Sequence, residues 1–174
     1  MLFLKIPKDI IIKINENWIE IKGPLGTIKK KKSASINLLF NEKEQKLFLL
    51  NVIDPKTSHF YLSMINKLIW GVWKGYSIKL NVIGVGYKVF IEGKRLDLKI
   101  GFSHLISYII PEDVNVKLLN KKLLTLVLSG KNFQTVTQTA SEIKALKPAD
   151  CYKGKGIKYS TEIIKLKEGK KTNV

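Results

Sequence analysis

The segment Tyr152-Lys153-Gly154-Lys155-Gly156-Ile157-Lys158-Tyr159 alternates glycines with cations between two aromatic rings, and a lysine-rich tail follows it to Val174. A lysine neutralises a phosphate, and a glycine lets a backbone N–H approach that phosphate with no Cβ in the way. A tyrosine can stack on a base or sugar, or anchor the ends of the loop to a core. Nothing in the segment serves as a nucleophile or a metal cage. Across residues 153–171 seven lysines are interleaved with Gly154, Gly156 and Gly169 without a helical pattern. The chemistry on offer is that of holding a polyanion.

Other chemistry is sparse. His59 and His104 are the only histidines, and neither has metal-ligand spacing to Cys151 or to paired acids. No Ser/His/Asp set can be assembled. Gly84-Val85-Gly86 opens like a dinucleotide fingerprint, but residue 89 is Val and a strand follows instead of a helix. These glycines are expected to allow a bend or close backbone packing between two units. Gly130-Lys131-Asn132 lacks the upstream glycine and following hydroxyl of a phosphate-binding loop, and with Ser129 it is expected to begin a helix. The run Lys29 to Lys32 fits a solvated face as well as a phosphate contact. Trp18, Trp70 and Trp73 sit in strand or helix patterns and are expected to be packing residues.

The whole chain supports a polyanion partner. Its 174 residues include 31 Lys and Arg against 14 Asp and Glu, a net charge of +17, and Arg95 is the only arginine. Basic character is spread through both halves and is densest in the tail. Such a surface attracts nucleic acid or anionic lipid. No run reaches the roughly 18 apolar residues that span a bilayer, and no basic amphipathic helix stands alone. One cysteine, Cys151, excludes an intramolecular disulfide. The opening Met1 to Pro7 is too short for a signal peptide, and no transit segment precedes it.

The elements that must position the basic segment repeat along the chain. Strands are expected at 10–14, 18–22, 27–32, 35–40 and 46–52, with turns at Asn15-Glu16-Asn17, Gly23-Pro24-Leu25-Gly26 and Asn41 to Glu44. Tyr61, Met64, Ile65, Leu68, Ile69 and Val72 then follow the spacing of one helical face, and Gly75 ends it. The second half repeats the plan with strands at 77–83, 86–91, 95–100, 106–110, 114–119 and 123–128. Turns are expected at Glu92-Gly93-Lys94, Pro111 and Asn120-Lys121-Lys122. Phe133, Val136, Ala140 and Ile143 mark a second helix, closed by Pro148. Two strands-then-helix units suggest a duplicated α+β module. The expected divisions are an N-terminal module at 1–82, a second at 83–152, and a basic loop and tail at 153–174.

Four separated motifs, in order, resemble one family. Asp150-Cys151-Tyr152-Lys153-Gly154-Lys155-Gly156-Ile157-Lys158-Tyr159 resembles the C-terminal signature of large-subunit ribosomal protein six. Gly84-Val85-Gly86-Tyr87-Lys88 resembles its interdomain signature, and Leu98 to His104 (LKIGFSH) a third. Ile6-Pro7 with Ile21-Lys22-Gly23-Pro24-Leu25-Gly26 resembles its opening hairpin. The chain departs from that family in having Ala149-Asp150-Cys151 where a proline-acid-proline segment is usual, and lysines where arginines are expected in the tail. The resemblance covers nearly the whole length. It implies two similar small domains, each an antiparallel-rich sheet packed with one helix, plus the basic tail. It also implies a structural, non-enzymatic constituent of the large ribosomal subunit, binding rRNA near the translation-factor region.

Carried over by that resemblance, the rRNA-binding candidates are Lys153, Gly154, Lys155, Gly156, Lys158 and Tyr159, then Lys165, Lys167, Lys170 and Lys171, with Ser103 and His104 second in rank. No catalytic residue, cofactor or metal is expected. The expected partners are large-subunit rRNA, neighbouring ribosomal proteins and, indirectly, translation factors, with no membrane. Abundant Lys, Ile and Asn, whose codons are A/T-rich, and the lack of a leader point to a mitochondrial ribosome, with plastid and bacterial ribosomes as alternatives. Rival functions are organisation of another structured RNA, a nucleic-acid-modifying enzyme and a basic membrane-surface protein.

Overall fold

The structure, a computed structural model, describes residues 2–32, 37–41, 45–50, 55–120 and 123–168. Two compact units divide it, one of residues Met1–Tyr76 with Lys131–Phe133, the other of Ser77–Gly130 with Gln134–Val174. The break falls between Tyr76 and Ser77, so the strand carrying Val82 lies, but for Tyr76, in the second unit.

In the first unit, β1 (Leu2–Lys5), β2 (Ile11–Ile14), β3 (Trp18–Gly23), β4 (Gly26–Lys31), β5 (Asn37–Asn41) and β6 (Lys46–Leu50) precede α1 (Pro55–Trp73). They form two antiparallel sheets, β2-β3-β4 and β1-β6-β5. Alternation sorts the faces: Ile19 and Ile21 of β3 are buried while Glu20 and Lys22 between and beyond them turn outward. Leu62, Ile65, Ile69 and Val72 give α1 a buried stripe at helical spacing, closing over Ile6, Ile10, Leu47 and Leu49. β1 is an addition to the sequence reading, which placed its first strand at residue 10.

The second unit repeats this order. It runs β7 (Tyr76–Ile83), β8 (Lys88–Glu92), β9 (Arg95–Lys99), β10 (Ile106–Ile109), β11 (Val114–Asn120), β12 (Thr125–Gly130) and α2 (Phe133–Leu146), then adds β13 (Gly156–Tyr159). The meander β8-β9-β10 corresponds to β2-β3-β4, and β7-β12-β11 corresponds to β1-β6-β5. The duplication expected from the sequence is therefore present in topology. Among the described residues β13 is the one element without a counterpart, and it extends the sheet by pairing antiparallel with β7. Leu80, Leu96, Leu98, Ile100, Leu126, Leu128, Ile143 and Ile157 form the centre of the core.

Four local expectations change. Ser129 lies in β12, its hydroxyl donating to the Asn115 carbonyl at 3.4 Å, so it does not begin α2. Phe133 is 40% exposed and leaves the buried face of α2 to Val136, Thr139, Ala140 and Ile143. Trp73 packs against the buried core as expected, but Trp18 and Trp70 are half exposed. Trp70 lies edge-on to Trp73 at 5.6 Å, and Lys74 Nζ lies 4.6 Å and 4.5 Å from the rings of Trp70 and Trp73. The close packing at Gly84 is with the Tyr87 ring, inside the second unit. Parts of the turns at 41–44 and 120–122 and the ends of the strands expected at 35–40 and 46–52 lie outside the described residues.

Candidate nucleic-acid interface

The signature segment is a tight loop feeding an edge strand. The Asp150 carbonyl accepts the Gly154 N–H at 2.9 Å, the Asp150 N–H donates to the Lys155 carbonyl at 2.9 Å, and the Asp150 carboxylate accepts the Lys153 N–H at 3.1 Å. One acidic residue thus satisfies the loop's own backbone, a role short polar side chains take at turns. The chain then enters β13, with Ile157 opposite Val82 and Tyr159 opposite Leu80. On the other side of β13 the Ile157 N–H donates to the Lys147 carbonyl at 2.8 Å.

Both glycines of the loop are explained inside the protein. Gly156 has φ +140°, and a Cβ there would sit 2.5 Å from the Ala149 Cα and the Pro148 oxygen. Gly154 has φ +66° and faces the Leu166 side chain. Left-handed backbone and close approach both select glycine. Burial of Ile157 fixes the facing of its neighbours: Lys158 points away from the core side of β13. Tyr159 is half buried against that core, with Lys144 Nζ 4.9 Å from its ring centre, so it anchors more than it projects.

Lys153, Lys155, Lys165 and Lys167 are exposed, and none has an ion-pair partner among the described residues. The Lys167 N–H donates to the Cys151 carbonyl at 2.9 Å, and Leu166 faces Gly154, so the start of the tail folds back along the loop. Four cations are thereby gathered on one short stretch of surface, where their mutual repulsion favours an anionic partner. Glu162 is the local exception. It takes the Lys144 ammonium at 2.8 Å and the Tyr159 N–H at 3.2 Å, and the Lys144 hydrogen bond, first, and that N–H hold its carboxyl below the usual range. Lys170 and Lys171 lie outside the described residues.

Ser103 and His104 stand on the exposed loop between β9 and β10. They line a cavity of about 330 Å³ with Lys88, Phe90, Lys99, Phe102 and Leu105. The His104 and Phe102 rings stack 6.5 Å apart at 29°. Lys147 connects this loop to the signature segment, since its Nζ lies 4.6 Å from the Phe102 ring while its carbonyl holds Ile157. Sequence reasoning missed Lys88 and Lys147 as members of this surface. Lys88 is brought to it by strand register and Lys147 by the path of the chain after α2, neither of which spacing reveals.

Among the described residues no group of three or more His, Cys, Asp or Glu could hold a metal, and no helix is long and apolar enough to cross a membrane.

A family profile described as "Ribosomal protein L6" matches residues 83–160. The chain is 39% identical to the large ribosomal subunit protein uL6m of Reclinomonas americana, over 97% of this chain and 95% of that protein. It is 36% identical to large ribosomal subunit protein uL6 of Chlorobium chlorochromatii, over 91% of this chain and 89% of the relative. With uL6 of Acinetobacter baylyi the identity is 35%, over 95% and 94%.

Proposed function

Because the chain belongs to the ribosomal protein L6 family, we propose that it is a structural constituent of the large ribosomal subunit that binds large-subunit rRNA near the translation-factor region. The family is structural, and the chain is not an enzyme. The observation that carries the RNA reading is the cluster of Lys153, Lys155, Lys165 and Lys167, exposed and without ion-pair partners among the described residues, on a loop held by its own backbone bonds. Lysines on such a loop meet phosphates as point charges without having to order the loop at the moment of binding.

In this reading Lys153, Lys155, Lys158, Lys165 and Lys167 contact phosphates, and Lys170 and Lys171 extend the same contact. Gly154 and Gly156 shape the loop and keep it thin, and Tyr159 fixes its root to the sheet. Ser103 and His104 make a second contact from the β9–β10 loop. The neighbouring ribosomal proteins are further partners, and translation factors are served indirectly through a stabilised RNA junction. The first relative is a mitochondrial-type protein, and together with the A/T-biased composition this favours a mitochondrial ribosome over a plastid or bacterial one.

The test is binding of the full chain to a transcript of large-subunit rRNA over a range of salt. Affinity should fall steeply with salt as counterions are released, and replacing Lys153, Lys155 and Lys158 together by Gln should flatten that slope by roughly three units of logarithmic dependence, about one per lost phosphate contact. An unchanged slope would remove the loop from the interface.

A further inference from the structure

The two units have the same topology, so the first serves as a reference for the second. In the first, β3 and β4 are joined by the tight turn Gly23-Pro24-Leu25-Gly26, with Gly23 opposite Gly26. In the second, the corresponding connection between β9 and β10 is enlarged to residues 100–105. That enlargement is not needed to build the meander. It turns at Gly101, where φ is +83° and the Tyr87 ring is within van der Waals reach of a Cβ, and it forms one wall of the cavity described above.

The charges beneath the loop also differ from those of the first unit. Lys88 of β8 lies directly opposite Lys99 of β9. Facing residues of an antiparallel pair have Cβ atoms about 5 Å apart, and like charges there destabilise the sheet. At the other end of the same two strands Glu92 faces Arg95, a complementary pair. The corresponding strand ends in the first unit pair Ile11 with Lys22. Neither Lys88 nor Lys99 has an ion-pair partner among the described residues. Both lysines line the cavity, together with Phe90, 48% exposed, Phe102, 39% exposed, and Ser103.

Two unneutralised cations next to two accessible rings recognise a ligand with an anionic end and a flat apolar end. We propose that this cavity receives one unpaired nucleotide of an RNA strand, its phosphate between Lys88 and Lys99 and its base against Phe90 and Phe102. The inference rests on the RNA-binding reading above and deepens it, giving the second unit a base-accepting contact beside the phosphate-binding loop. Lys147, which touches Phe102 through its ammonium and β13 through its carbonyl, keeps the two contacts in fixed relation. Stacking on a ring tolerates any base, so the cavity selects for an unstacked nucleotide rather than for a sequence.

The experiment is an NMR titration of the full chain with AMP and with ribose 5-phosphate, run beside binding of the full chain to a large-subunit rRNA transcript. AMP should shift resonances of Lys88, Phe90, Lys99 and Phe102 to Leu105, and bind roughly tenfold more tightly than ribose 5-phosphate. Phe102→Leu should remove that difference, with Phe90→Leu as a second variant. Lys99→Gln should weaken both probes alike. On the transcript, Lys99→Gln should raise the chemical reactivity of an unpaired base that the unaltered chain protects. Equal affinity for AMP and ribose 5-phosphate, or shifts confined to residues 153–158, would overturn the proposal while transcript binding kept the RNA reading intact. AMP binding in the cavity by a chain that binds no transcript would assign the site to free nucleotides and overturn its place on an RNA strand.

Discussion

Lys144, in the last turn of α2, holds the Glu162 carboxylate at 2.8 Å, while Glu162 also accepts the N–H of Tyr159, the last residue of β13. The pair ties the helix end to the root of the basic tail. A cation at a helix C-terminus also meets the negative end of its dipole. Both ties act on the same four-residue span in which the chain leaves the sheet.

A consequence is a pH dependence of the tail's root. The Glu162 carboxyl is held below its ordinary range, first by Lys144 and then by the Tyr159 N–H. A depressed carboxylate contributes stability that is present above its unfolded pKa of about 4.3 and is lost as pH falls through its folded value. The Tyr159 amide should therefore lose protection from exchange below that range. Hydrogen exchange across the acid range, with Glu162→Gln as the variant lacking the step, checks this. A pH-independent Tyr159 amide would contradict it.

Ile157 should matter to the fold and Lys153 should not. Ile157 is wholly buried in the second unit's core, so Ile157→Ala should cost about 2–5 kcal/mol. Lys153→Gln, on the exposed loop, should stay within about 0.5 kcal/mol while still weakening RNA binding. Denaturant unfolding of both variants, followed by transcript binding, separates the two roles.

This strand is also where the sequence was least legible. The period-two pattern that exposes β3 through Ile19 and Ile21 is reduced in β13 to Ile157 and Tyr159, set among glycines and lysines that read as a flexible loop. A four-residue edge strand carries too few alternations to stand out from a basic tail. β1 is as short and was passed over for the same reason. The longer elements were legible because their apolar spacing ran for several turns or alternations, as with Ile65, Ile69 and Val72. At the candidate interface, composition revealed the lysines of 153–167. The opposition of Lys88 and Lys99 was hidden, since register between β8 and β9 is not written in either strand alone.

The two loop glycines should differ in tolerance. Gly156→Ala would drive a methyl to 2.5 Å from the Ala149 Cα and Pro148 oxygen and should destabilise the second unit by a few kcal/mol, about 1–3 from the backbone conformation alone. Gly154→Ala meets only Leu166 at 3.5 Å and should cost about 1 kcal/mol, the ordinary penalty of left-handed backbone. Thermal unfolding of the two variants tests the order, and equal losses would refute it.

Tyr108 should give the protein an alkaline signature. Its hydroxyl donates to Glu142, and burial, first, together with that carboxylate raises its pKa to about 12. Its contribution is full below the unfolded value of about 10 and is lost as pH rises from there toward 12. Stability measured across that window should drop in the unaltered chain. Tyr108→Phe should lack this component of the drop, and identical profiles would contradict the assignment.

The most direct test of the ribosomal role is sedimentation of a gentle, ribosome-preserving lysate with this protein followed across the gradient. The account expects stable co-migration with the large subunit through moderate salt, and loss from that peak when Lys153, Lys155 and Lys158 are replaced together by Gln. Recovery only in light fractions, beside normal large subunits that lack the protein, would contradict it.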